Sequence, residues 1–155
     1  MWTAYGLLKT VHVLGAVVWI GGVAALWTTA IRLGRSGDRA ALGAILGAVR
    51  GFGQRVAGPA SGLVLLSGIA MAILARLGGQ LWIWLGMGGV VLHLVLSFTL
   101  LRARWTAVGK LLGDPAGDAA RLAVAVREVT VAAWIYLAVM AATIAVMVLK
   151  PTLGA

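Results

Sequence analysis

Lys9-Thr10-Val11-His12-Val13-Leu14-Gly15-Ala16-Val17-Val18-Trp19-Ile20-Gly21-Gly22 decides the fold, because it carries an imidazole inside a run that is otherwise apolar. The run extends from Tyr5 to Ile31 and contains one Lys near its start, His12, and no Arg, Asp or Glu. A helix needs about 20 such residues to cross a bilayer, so the segment is long enough to span. A cleavable secretory signal would have a shorter apolar core, then a small-residue cleavage site and polar chain. Here apolar character continues past Gly22 and returns later in the chain. The expectation is a mature transmembrane helix with a histidine inside the membrane, where an ionisable group is costly and points to function.

The composition agrees. Of the 155 residues, 62% are hydrophobic and 11% charged, with a mean hydropathy of +1.03, which describes an integral membrane protein rather than a soluble domain. The absence of cysteine removes disulfides, thiolate metal sites, iron-sulfur clusters and cysteine nucleophiles. Two His and four acidic residues, with Met, are what remain for metal chemistry. A net charge of +9 would suggest nucleic acid in a soluble protein. Here the basic residues lie between apolar runs, where topology and anionic headgroups account for them, and no nucleic-acid partner is expected.

Outward from the first span, residues 32–55 carry five Arg against the single Asp38. Within them Ser36 can cap a short helix in which Leu42, Ile45, Leu46, Val49 and Phe52 share one face, opposite Arg39 and Arg50, so an interfacial amphipathic helix is expected. A second span covers about 56–75 and opens with Gly58-Pro59-Ala60-Ser61-Gly62, small residues that allow close helix approach. The third, about 81–101, starts at Trp82 and Trp84, carries Gly86, Gly89, His93 and Ser97 on one stripe, and closes at Arg102, Arg104 and an interfacial Trp105. Gly113-Asp114-Pro115-Ala116-Gly117 reads as a turn and Asp118 as the N-cap of a helix that becomes the fourth span, about 129–149, ended by Lys150-Pro151. The chain is therefore read as one all-α domain, residues 1–155, forming an up-down bundle of four transmembrane helices (spans about 5–31, 56–75, 81–101 and 129–149). The two long connections hold five Lys or Arg each and the remaining segments three, so both termini are expected outside.

The candidate chemistry lies with the two histidines. His12 sits about seven residues into its span and His93 about twelve into its own, a difference in depth of roughly 8 Å at ~1.5 Å per residue. Two imidazoles from different helices facing one cavity are a common way to hold haem, and small residues on each stripe, Gly15, Ala16 and Gly22 beside His12 and Gly86 and Gly89 before His93, would make room for the macrocycle. Trp19 would pack beside the ring. The plainer alternative is that each imidazole hydrogen-bonds a neighbouring helix and the glycines permit close packing. Zinc is disfavoured because no carboxylate lies at comparable depth. Copper(I) has His12, His93, Met87 and Met140 as soft donors, although Met within a span is more often packing filler. Glu128, the sole Glu, is placed to pair with Arg55 or Arg104. No Ser-His-Asp arrangement, P-loop or dinucleotide fingerprint occurs, and no side chain is assigned a catalytic role.

These residues resemble the superfamily of small polytopic membrane proteins that includes HemJ, the protoporphyrinogen oxidase of many bacteria, and the CopD-like copper resistance proteins. The resemblance covers most of the chain: Lys9-Thr10-Val11-His12 with Trp19-Ile20-Gly21-Gly22, then Arg55 through Pro59-Ala60 to Gly68, then His93 followed by Arg102, and Arg127-Glu128 leading to Lys150-Pro151. It implies haem b and a tetrapyrrole substrate on the HemJ side and copper handling on the CopD side. The chain departs from HemJ in having no basic residue around Trp84-Leu85-Gly86, in Trp27-Thr28 and Leu33 where HemJ ends its first helix with a Pro-Arg pair and a further His, and in Val129-Thr130 after Glu128. What carries over is His12 and His93 as ligand candidates, and not the oxidase activity.

Three functional expectations follow. The first is a bacterial inner-membrane haem b protein in electron transfer or a small membrane oxidoreductase, with His12 and His93 as axial ligands. The second is a CopD-like copper-handling protein. The third is a non-catalytic accessory subunit that docks through Gly and Ala faces, as a homo-oligomer or within a larger membrane complex.

Overall fold

The computed structural model describes residues 3–114 and 118–152. Four helices follow one another, α1 (Ala4–Ser36), α2 (Arg39–Leu74), α3 (Leu81–Gly113) and α4 (Ala119–Leu149), each long and apolar enough to cross a membrane. No strand occurs among the described residues. Most of the Gly113–Gly117 turn lies outside the described residues. Large apolar side chains cover the outside, with Leu66, Phe98, Val148 and Leu149 among the most exposed. A surface of this kind is what lipid, rather than water, accommodates.

Each helix outruns its apolar stretch. At ~1.5 Å per residue, helices of this length reach about 46–54 Å, against roughly 30 Å of hydrocarbon. The excess lies at the Arg-rich end, where the bundle has its own core of Leu42, Val108, Leu122, Val126 and Val129, with Ile45 and Leu46 packed against it. This corrects the expected interfacial helix. The amphipathic segment forms, as Arg39–Phe52, but it continues through a π-turn into the second span, and its apolar face meets α3 and α4 rather than headgroups. Arg39 reaches across the bundle to donate to the Leu111 carbonyl at 2.9 Å, serving an unpaired carbonyl at the end of α3. Phe52 closes the stripe by filling the notch at Gly22. Trp105 is likewise no interfacial marker, because it packs against both cores with its indole nitrogen buried.

Local chemistry sets the ends. Gly37 supplies the left-handed turn after α1 at φ +78°. The cap of α2 is Asp38, which accepts from the Ala41 amide at 2.9 Å, and not Ser36, whose hydroxyl donates back to the Leu33 carbonyl. Asp118 caps α4 by accepting from the Ala120 amide at 2.8 Å, as its position in the sequence indicates. At the opposite end Lys150 lies over the Trp82 ring at 5.4 Å, joining the end of α4 to the start of α3.

The helices pack as two pairs. Residues 4–16 of α1 lie along the second half of α2 and, among the described residues, form no extended interface with α3 or α4, while the first half of α3 lies along α4. The pairs join from Trp19 toward the Arg-rich end, through a core that includes Trp27, Ile31, Leu101, Ala133 and Tyr136. Three π-turns, Val17–Gly21, Gly53–Ala57 and Ser97–Leu101, fall in this joined region. Such turns are frequent at functional sites.

Candidate functional site

His12 belongs to the α1/α2 seam. Its Nδ1 lies 2.9 Å from the Val64 carbonyl oxygen and 3.2 Å from the Ser67 hydroxyl, which itself donates to the Leu63 carbonyl. A carbonyl only accepts, so Nδ1 carries the proton and Nε2 the lone pair. The ring can lie on α2 because Gly68 has no side chain, since a Cβ there would stand 3.2 Å from His12 Cε1. Gly15 serves the same seam, where a Cβ would come 3.0 Å from Val64 Cγ2. Gly62, on the other hand, faces open space.

His93 belongs to the other pair and to the centre of the bundle. It is 2% exposed, with its ring 4.8 Å from that of Tyr136 and 5.8 Å from that of Trp19. Its Nε2 stands 3.5 Å from the Thr143 hydroxyl, whose proton goes to the Val139 carbonyl at 2.9 Å. Thr143 therefore accepts from Nε2–H, weakly at that distance, and Nδ1 holds a buried lone pair with no partner among the described residues. Met140 lies between Tyr136 and Thr143 on the same face of α4 and is 2% exposed.

Of the six residues singled out in the sequence, only Trp19 and His93 come into contact. Gly86 and Gly89 do face α4, but their notches are filled by Met147 and Thr143, so their immediate role is close approach of α3 and α4. The two imidazoles do not face each other. Trp19, level with His93, is seven residues along α1 from His12, about 10 Å at ~1.5 Å per residue. A haem held between both rings does not fit this arrangement. Taken singly, each ring offers one nitrogen lone pair to a metal. The expected pairing of Glu128 with Arg55 or Arg104 is met by Arg104.

Ser67, Gly68, Tyr136 and Thr143 were not legible as partners. The nearest signal was the spacing Tyr136, Met140, Thr143, Met147 at i, i+4, i+7 and i+11, which marks one face of a helix. It does not say which helix that face meets.

No curated protein and no solved structure matches the chain. A family model described as a predicted integral membrane protein, DUF2269, matches residues 6–151. With nearly the whole chain covered and four membrane-length helices in the structure, this protein belongs to the DUF2269 family of predicted integral membrane proteins.

Proposed function

We propose that this integral membrane protein carries a redox metal centre and works in electron transfer or as a small membrane oxidoreductase, with haem b on His12 as the leading form. The observation that supports it is the bond from His12 Nδ1–H to the Val64 carbonyl. A hydrogen bond of this kind, from the ring nitrogen that does not bind the metal, fixes the tautomer and orientation of a ligating histidine and raises the basicity of its free nitrogen. His12 is half-buried in the part of α1 that, among the described residues, packs chiefly on α2, which leaves a flank for a flat group arriving from the bilayer. Bound haem supplies one-electron iron chemistry. The chain's own part is to hold and orient it through one imidazole. The Arg-rich end is assigned to the cytoplasm of a bacterial inner membrane, with both termini outside.

A second reading, copper handling, is favoured by a separate observation. The unpartnered Nδ1 of His93 stands in the seam that also holds the buried thioether of Met140. Imidazole and thioether together suit Cu(I), and a bare ion needs no slot in a packed core.

The deciding experiment uses detergent-purified protein, its optical spectrum before and after reduction, and its metal content. For haem on one imidazole, the wild type is coloured and reacts with carbon monoxide, His12→Ala loses the pigment and His93→Ala keeps it. For copper, metal is bound without a Soret band and is lost in His93→Ala and weakened in Met140→Ala. A wild type that binds neither group after incubation with haemin or Cu(I) overturns the proposal and turns attention to the accessory-subunit reading.

A further inference from the structure

We propose that the groove between α3 and α4 at the Arg-rich end holds one anionic phospholipid, with its phosphate on Arg104. The groove contains a cavity of about 290 Å³ whose walls include Thr99, Ala103, Arg104 and Ala107 of α3 and Ala125 and Glu128 of α4. A second cavity of about 360 Å³ shares Ala125 and Glu128 and reaches Arg121. The space exists because Ala103, Ala107 and Ala125 are too short to fill it.

Arg104 gives the groove its chemistry. A guanidinium has five N–H donors. Glu128 accepts from Nη1, which orients the group, and Arg104 makes no other hydrogen bond among the described residues. The remaining donors form a fork suited to phosphate. Arg121, on the wall of the adjoining cavity, adds a second guanidinium, so the two cavities together hold two cations against the one carboxylate of Glu128.

Depth distinguishes a lipid from a free anion. Arg102 and Arg104 are the first charges after the apolar stretch of α3, and Phe98, 67% exposed, lies on its membrane side. The groove thus crosses from hydrocarbon to headgroup, with Thr99 and Leu100 at its apolar end. Inorganic phosphate would have no use for that trough. A second copy of the chain would bring its own Arg-rich end against this one. Basic pockets between spans are a known setting for acidic headgroups.

The test is a thermal-shift titration of the full chain in detergent with phosphatidylglycerol, phosphatidylcholine of the same acyl chains, and inorganic phosphate. At a hundredfold excess over Kd, phosphatidylglycerol should raise Tm by about 5–10 °C. Phosphatidylcholine should do much less and phosphate nothing. Arg104→Gln and Ala107→Leu should each remove most of the phosphatidylglycerol-specific rise, whereas Arg50→Gln, on α2, should keep it. Arg104→Gln changes a partly exposed side chain, so it tests the proposal even if Ala107→Leu fails to fold. An equal rise with both lipids, a rise undiminished in Arg104→Gln, or the same rise with phosphate alone overturns the proposal. So does a wild-type dimer that Ala107→Leu dissociates, which would assign the groove to a second copy.

Discussion

Gly89→Ala should destabilise the protein, and Gly86→Ala, one turn earlier on the same stripe, should not. A Cβ at Gly89 would stand 2.7 Å from Thr143 Cγ2 and 3.1 Å from Thr143 Cβ, and would collide with its hydroxyl. Thr143 cannot turn aside, because it is β-branched and its hydroxyl is bound to the Val139 carbonyl. The helices must therefore separate, and overpacking of this kind costs about 1–3 kcal/mol. Replacing Gly by Ala in a helix returns up to ~1 kcal/mol, which leaves a net loss of about 0–2 kcal/mol, and the fixed Thr143 puts this site in the upper half of that range, at about 1–2 kcal/mol. That corresponds to a fall in Tm of roughly 2–8 °C for a chain of this size. At Gly86 the obstacle is the Met147 terminal methyl, the far end of a flexible side chain that can swing away. Thermal unfolding in one detergent measures both variants. A third, Gly89→Ala/Thr143→Ala, removes the obstructing atoms and should recover most of the loss, giving a coupling energy of about 1 kcal/mol. Equal losses at Gly86 and Gly89, or no recovery in the double variant, would refute the packing argument.

Two further outcomes are expected. Asp38→Ala should cost about 0.5–2 kcal/mol, because it removes the oxygen that holds the Ala41 amide, while Ser36→Ala should cost a few tenths; thermal unfolding of the two variants separates them. Cysteines placed at Ser36 and Thr152 should label oppositely with an impermeant thiol reagent in intact cells, Thr152→Cys reacting and Ser36→Cys protected, and the reverse pattern would invert the assigned topology.

The spans were legible because lipid asks only for apolar length, which Tyr5–Ile31 and its three successors display. Which side of a span meets another helix was less so, since Leu66 in lipid and Leu101 in the core are the same residue type. The stripe of Gly86, Gly89, His93 and Ser97 was an exception. Small and polar residues on one face are wasted on lipid, and that face does meet α4 and Tyr136. The amphipathic pattern of Leu42 to Phe52 defined an apolar face correctly but not its partner, because headgroups and a neighbouring helix make the same demand. His12 and His93 failed as a pair for a related reason. Depth along a helix can be counted from residue numbers, but rotation about it depends on the partner, and α1 turns His12 toward Val64 and Trp19 toward His93.

The placement of polar groups also bears on what the bundle can move. A proton relay through a membrane needs a succession of Asp, Glu or His side chains. Past His93, α3 has no ionisable group until Arg102, and α1 has none between His12 and Arg32. Aromatic rings do continue in that direction. Trp19 lies 5.8 Å from His93, His93 4.8 Å from Tyr136, and Tyr136 4.8 Å from Trp27, which is eight residues nearer the Arg-rich end than Trp19. That is about 12 Å of depth at ~1.5 Å per residue, covered by rings in close contact and by no chain of carboxylates. The interior at this depth is thus lined by a run of contacting aromatic rings. Under the electron-transfer role proposed above, Tyr136→Phe, which keeps the ring and loses the hydroxyl, should retain most electron transfer, while Tyr136→Ala should lose it. Equal loss in both would show that the hydroxyl, rather than the ring, is what the bundle uses.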